Sequence, residues 1–140
     1  MKFNYLKVPA TSSPAFPDEK SRLRPVINVR LIYRDKSIQY KTVIDSGSDY
    51  CIFPASIGKL LTIDVESGKL DKVGGIGYGF ANLYFHPIAL EIGGISAPCY
   101  AGFSYDIDKL GFGILGQKGF FDRFNKVIFE YKKERIELVQ

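Results

Sequence analysis

Val43-Ile44-Asp45-Ser46-Gly47-Ser48 decides the reading of this chain. The alternation Ile38, Tyr40, Thr42, Ile44 is that of a β-strand with one face buried, and Asp45 stands where the strand gives way to a turn built on Ser46 and Gly47. Just upstream, Ile27, Val29, Leu31 and Tyr33 alternate with Asn28 and Arg30, and Arg34-Asp35-Lys36 reverses the chain. The two alternations predict a β-hairpin that feeds directly into Asp45. The Asp-Ser-Gly-Ser turn occurs once in the 140 residues.

Downstream, Cys51-Ile52-Phe53 reads as a short buried strand, and Pro54 stands where a first helical turn begins, with Ile57, Leu60 and Leu61 on one face. A glycine-rich stretch, Gly74-Gly75-Ile76-Gly77-Tyr78-Gly79, follows, with strand-like Leu83 to Phe85 and Ile88 to Ile92 beyond it. Glycines at this density permit the tightly turned backbone of a mobile hairpin tip. No Gly-Lys-Ser/Thr ending follows, so the stretch is not a phosphate-binding loop. Gly93-Gly94 is a turn before Ser96 to Phe103. Gly111 to Gly116 leads into a short helical pattern with Phe120, Phe121 and Phe124 on one face, and the chain closes with strands at Val127 to Tyr131 and Ile136 to Val139. Hairpin, glycine turn and short helix thus occur around Asp45 and again around Gly116, a repeat of pattern more than of letters.

Composition bounds the function. With 46% hydrophobic and 14% aromatic residues the chain buries a core of its own, and its length fits one domain. Residues 1–25, with Pro9, Pro14, Pro17 and Pro25, read as an extended N-terminal arm or edge structure, and 26–140 as the domain proper. The net charge of +4 is scattered except at Lys132, Lys133 and Arg135, with no groove-reading motif, so nucleic acid is not an expected partner. No stretch has the apolar length of a membrane span, and Met1 to Ala10 is too polar for a signal peptide, so the expected location is cytoplasmic. Cys51 and Cys99 lack metal-ligand spacing and read as small core residues, with a Cys-His nucleophile pair through the single His86 as the alternative. No metal and no cofactor are expected.

On Val43 to Ser48, the glycine stretch at 74 to 79, and Ile114-Leu115-Gly116 before a short helix, the chain resembles the retropepsin-like aspartic proteases, the single-domain homodimeric relatives of pepsin. The match runs from about Val26 to Leu138 in family order. The resemblance implies a mainly β fold, a closed or partly open acid-protease β-barrel with one or two short helices. It also implies an aspartic endopeptidase acting on peptide or protein substrates, in which Asp45 from each of two subunits shares one catalytic water. Two carboxylates at hydrogen-bonding distance cannot both ionise, so the pair holds one proton between them.

By the same resemblance Ser46 takes the place of a hydroxyl that bonds across the dimer axis, and Gly47 keeps the turn small where two copies meet. Ser48 would donate to the outer oxygen of the carboxylate, favouring its charged form. Gly74, Gly75, Ile76, Gly77 and Tyr78 would form a flap over an extended peptide, with Ile76 covering the site and Tyr78 ordering the tip. Ile114 and Leu115 would pack beneath the catalytic turn, and Gly116 would let the following helix approach. The proline-rich arm and the terminal hairpin would hold the homodimer. A different class of function remains open: a catalytically silent module of the same fold that binds a peptide or protein through its sheet edge and flap.

Overall fold

The computed structural model describes residues 1–75 and 79–140. The chain is mainly β, with twelve strands: β1 (Lys2–Asn4), β2 (Leu6–Pro9), β3 (Ser21–Arg24), β4 (Val26–Tyr33), β5 (Lys36–Ile44), β6 (Ile52–Pro54), β7 (Lys69–Gly74), β8 (Phe80–Ile92), β9 (Ile95–Ser104), β10 (Gly113–Leu115), β11 (Lys126–Glu130) and β12 (Arg135–Val139). A six-residue helix, α1 (Ala55–Leu60), and three 3₁₀ turns complete it. None of these helices is long and apolar enough to cross a membrane.

Seven strands lie in the order β4-β5-β10-β6-β9-β8-β7, and a further pairing of β4 with β8 closes the first six into a ring. The predicted hairpin is β4 and β5, in register from Val26 opposite Val43 to Tyr33 opposite Lys36. Ile27, Val29 and Leu31 point inward while Asn28 and Arg30 face water, as the alternation requires. Thr42 is fully buried, and its hydroxyl donates to the Ile27 carbonyl at 3.1 Å, so no polar atom is orphaned. Gly93 and Gly94, with φ of +56° and +84°, make the two-residue turn between β8 and β9.

Three sequence expectations are corrected here. The segments 83–85 and 88–92 are one strand, β8, of thirteen residues. It continues through Pro87 because β7 pairs with 80–85 and β4 with 89–91, so on that edge residues 86–88 have no ladder for proline to interrupt. Leu60 does not share the buried face of α1. Ile57 and Leu61 are in the core, but Leu60 is 65% exposed, about 100° of helical rotation from Leu61. The phenylalanine cluster follows no helix: only a 3₁₀ turn, Phe121–Arg123, forms, with Phe120 in the core and the rings of Phe121 and Phe124 packed against it.

The terminal strands form a separate sheet, β1-β12-β11, within the one chain. Phe3 lies opposite Ile136 in it. β2 and β3 make a hairpin of their own across the proline-rich segment, so the arm is strand rather than helix. His86 is buried in β8, where its Nε2 meets the Val65 carbonyl at 2.8 Å, a satisfied core histidine. Cys51 and Cys99 are buried free thiols, as core residues would be.

Candidate active site

Asp45 is held at the point where the sheet hands over to a loop. β10 runs parallel to β5, with Leu115 opposite Ile44, and the Asp45 N–H carries the pairing one residue further by donating to the Leu115 carbonyl at 3.0 Å. The chain then turns back: the Ser48 N–H donates to the Asp45 carbonyl at 3.2 Å, and the Gly47 N–H donates to Asp45 Oδ1 at 2.9 Å. These bonds fix the carboxylate's orientation while the residue stays exposed. From the described residues Oδ2 receives no hydrogen bond, so that oxygen is left for a ligand.

The loop is laced from the other side by the segment after β10. The Gln117 N–H donates to the Ser48 carbonyl at 2.8 Å and the Lys118 N–H to the Asp49 carbonyl at 2.9 Å. Gln117 Nε2 adds a bond of 2.7 Å to the Ser46 carbonyl. Gly116 is necessary for this approach, since a Cβ there would lie 2.6 Å from the Ser48 carbonyl oxygen and closer still to that of Tyr50. Its neighbour is therefore the Asp45 loop itself, and the expected role of admitting a following helix is replaced by this one. Ile114 and Leu115 divide by strand alternation: Leu115 is in the core and Ile114 turns toward the Asp45 side.

The Ser48 hydroxyl donates to the Tyr50 carbonyl at 2.9 Å. A hydroxyl has one proton to give, so the expected bond from Ser48 to the carboxylate is not made. Ser46 is exposed, as a contact with a second chain would need.

Asp45 opens into a cleft of about 750 Å³. Ile52, Leu83 and Ile114 give it an apolar wall, and Gly74, Gly75 and Gly79 bound it on the side of the β7–β8 hairpin. Gly75 N–H donates to the Gly79 carbonyl at 3.4 Å. Ile76, Gly77 and Tyr78, expected at the tip of the flap, lie outside the described residues. Asp106, which sequence reasoning did not single out, joins this wall and accepts the Asn82 N–H on Oδ2 at 2.9 Å, tying the hairpin near its tip to the loop after β9. Gln117 was likewise missed. Its place directly after an apolar-apolar-Gly element is the one signal that points to it.

The closed ring of strands, with apolar β10 laid parallel to the strand that ends in the Asp-Ser-Gly turn, is the fold of the retropepsin-like aspartic proteases of known structure. Solved structures carry the same architecture. The EIAV protease complexed with the inhibitor HBY-793 matches with a TM-score of 0.54 at 18% identity, over 76% of this chain and 93% of that one. A retropepsin-like aspartic protease from Rickettsia conorii matches with a TM-score of 0.59 at 11% identity, over 96% of this chain and 98% of that one. No family model matches the chain, and no curated protein sequence does either.

Proposed function

We propose that the chain is an aspartic endopeptidase, with a dyad formed by Asp45 and its counterpart in a second copy. The observation that carries this reading is the state of Asp45: its backbone and Oδ1 are fixed, Oδ2 is unclaimed by the described residues, and it faces a cleft with an apolar wall beside a glycine-rich hairpin. Proton sharing needs a second carboxylate at hydrogen-bonding distance, and the exposed Ser46-Gly47 edge lets a second identical turn bring one. In the pair, the ionised member takes a proton from a bound water and the protonated member donates one to the scissile carbonyl. The tetrahedral intermediate forms without an acyl-enzyme. An extended peptide in the cleft presents backbone groups to the hairpin and side chains to the Ile52, Leu83 and Ile114 wall.

One observation favours a second reading, a catalytically silent peptide-binding module. β1 is paired with its own β12, so a dimer made by exchanging terminal strands would have to break that ladder. The peptidase reading therefore places the contact between copies at the Asp45 turns and at the outer edges of the terminal sheet. Hydrolysis of an unfolded protein at mildly acid pH tests the choice. The peptidase cleaves it and Asp45→Asn does not. An Asp45→Asn protein as active as the parent would end this reading.

A further inference from the structure

Tyr50 is a wall with a cavity on each side. One is the cleft of Asp45; the other has a volume of about 680 Å³, within the range of ligand sites. Three aromatic rings floor it: Tyr50 meets Phe85 edge-on at 5.0 Å, and Phe85 meets Tyr100 at 5.3 Å with the rings tilted by 32°. Phe85 is buried and Tyr100 is 50% exposed, so the floor is anchored in the core and open to solvent at its outer end.

The charged groups around this floor are unevenly committed. Asp71 Oδ1 accepts the Lys72 N–H at 2.8 Å, and Asp122 Oδ1 accepts the Gly119 N–H at 3.0 Å. Arg123 is spent on the carbonyls of Leu90 and Ile95, at 3.0 and 3.1 Å. Lys69 and Lys118 also line the cavity, and among the described residues neither takes part in an ion pair. The Lys118 ammonium stands 5.4 Å from the centre of the Tyr50 ring, which places a cation directly over the shared wall. The combination is an aromatic floor edged by three cations, Lys69, Lys118 and Arg123, against two carboxylates, Asp71 and Asp122, with neither lysine in an ion pair among the described residues. It suits a large apolar side chain that has a carboxylate next to it.

We infer that this second cavity recognises an acidic-aromatic segment of the substrate, lying beyond the residues held in the cleft. The inference rests on the reading that the cleft holds a peptide. Lys69 lies on β7, the strand that also contributes Val73 and Gly74 to the cleft, and Lys118 follows Gln117, which holds the Asp45 loop. The two cavities are therefore built from the same strand and the same loop, and a chain leaving the cleft over Tyr50 enters the second.

The test separates binding from hydrolysis. Capped Glu-Phe-Glu and Lys-Phe-Lys peptides are titrated into Asp45→Asn protein and binding is read from amide chemical shifts. The acidic peptide is expected to bind at least about tenfold tighter, less so as salt rises, with shifts around Tyr50 and Tyr100. Lys69→Glu with Lys118→Glu reverses the order, and Tyr100→Ala weakens both peptides. Equal affinity for the two peptides, or a preference that survives the double charge reversal, overturns the inference. Because Asp45 is already disabled, a chain that hydrolyses nothing still answers: retained acidic binding upholds the site, and absent binding removes it.

Discussion

Gly116 and Tyr50 are in backbone contact: the Gly116 Cα faces the Tyr50 carbonyl so closely that no Cβ fits between them. The apolar-apolar-Gly element thus acts as the floor on which the Asp45 loop rests. The three atoms that a methyl would strike, the Tyr50 and Ser48 carbonyl oxygens and the Tyr50 carbonyl carbon, are all backbone and cannot swing aside as a side chain would.

Gly116→Ala should therefore cost about 1 to 3 kcal/mol, the range for forced overpacking with backbone displacement. Thermal unfolding measures the loss. Peptidase activity should fall further than stability alone explains, because the displaced element is the loop that carries Asp45.

Gln117→Ala removes one hydrogen bond, from Nε2 to the Ser46 carbonyl, while the Gln117 N–H bond to Ser48 remains. A stability change of about 1 kcal/mol is expected. In the proposed dimer Ser46 is the residue offered to the second copy, so the association constant should weaken as well. Sedimentation across concentration reads that shift, and an unchanged association constant would show that Gln117 acts on the fold alone.

Ser48→Ala should leave the acid limb of the pH-activity profile where it is. Its hydroxyl is committed to the Tyr50 carbonyl and gives nothing to the carboxylate. A modest loss of stability, about 1 kcal/mol, is the expected effect. Movement of the acid limb in the variant would mean that the hydroxyl reaches Asp45 in the proposed dimer.

Acid sensitivity should appear in the terminal hairpin. Hydrogen bonds from Lys133 and then Arg135 hold the Glu130 carboxyl below its ordinary value of 4.5. A carboxylate depressed in the folded state contributes stability above its unfolded pKa, and that contribution is lost as pH falls from about 4.5 toward the folded value. Melting curves between about pH 5 and pH 3 should therefore fall less steeply for Glu130→Gln than for the parent. The same slope in both proteins would remove the cluster from the acid response.

Much of this was legible because the determining signals are local. The period-two alternation of Ile27 to Tyr33 and Ile38 to Ile44, and the Gly93-Gly94 turn, needed no tertiary information. β7 was missed for a physical reason: five of its six residues are exposed, so Lys69 to Gly74 carries no alternation to read. Leu60 misled because the adjacent Leu61 takes the buried position one turn from Ile57, and the Phe120 cluster because helical spacing was read into a segment where only a 3₁₀ turn forms. At the site, the Asp-Ser-Gly-Ser letters marked the loop, but the direction of the Ser48 hydroxyl and the grip of Gln117 depend on how two distant segments are laid side by side. The pairing of β1 with β12 is of the same kind, since nothing in Lys2-Phe3-Asn4 says which copy's last strand it will meet.

Mixing decides the central claim. Asp45→Asn protein is added in increasing ratio to a fixed amount of parent chain, the two are allowed to exchange, and hydrolysis of an unfolded protein is followed. Shared chemistry predicts that activity falls as inactive mixed pairs replace parent dimers, in step with the fraction of parent chains that still pair with one another. Activity that stays constant however much Asp45→Asn chain is present would contradict a dyad built from two copies.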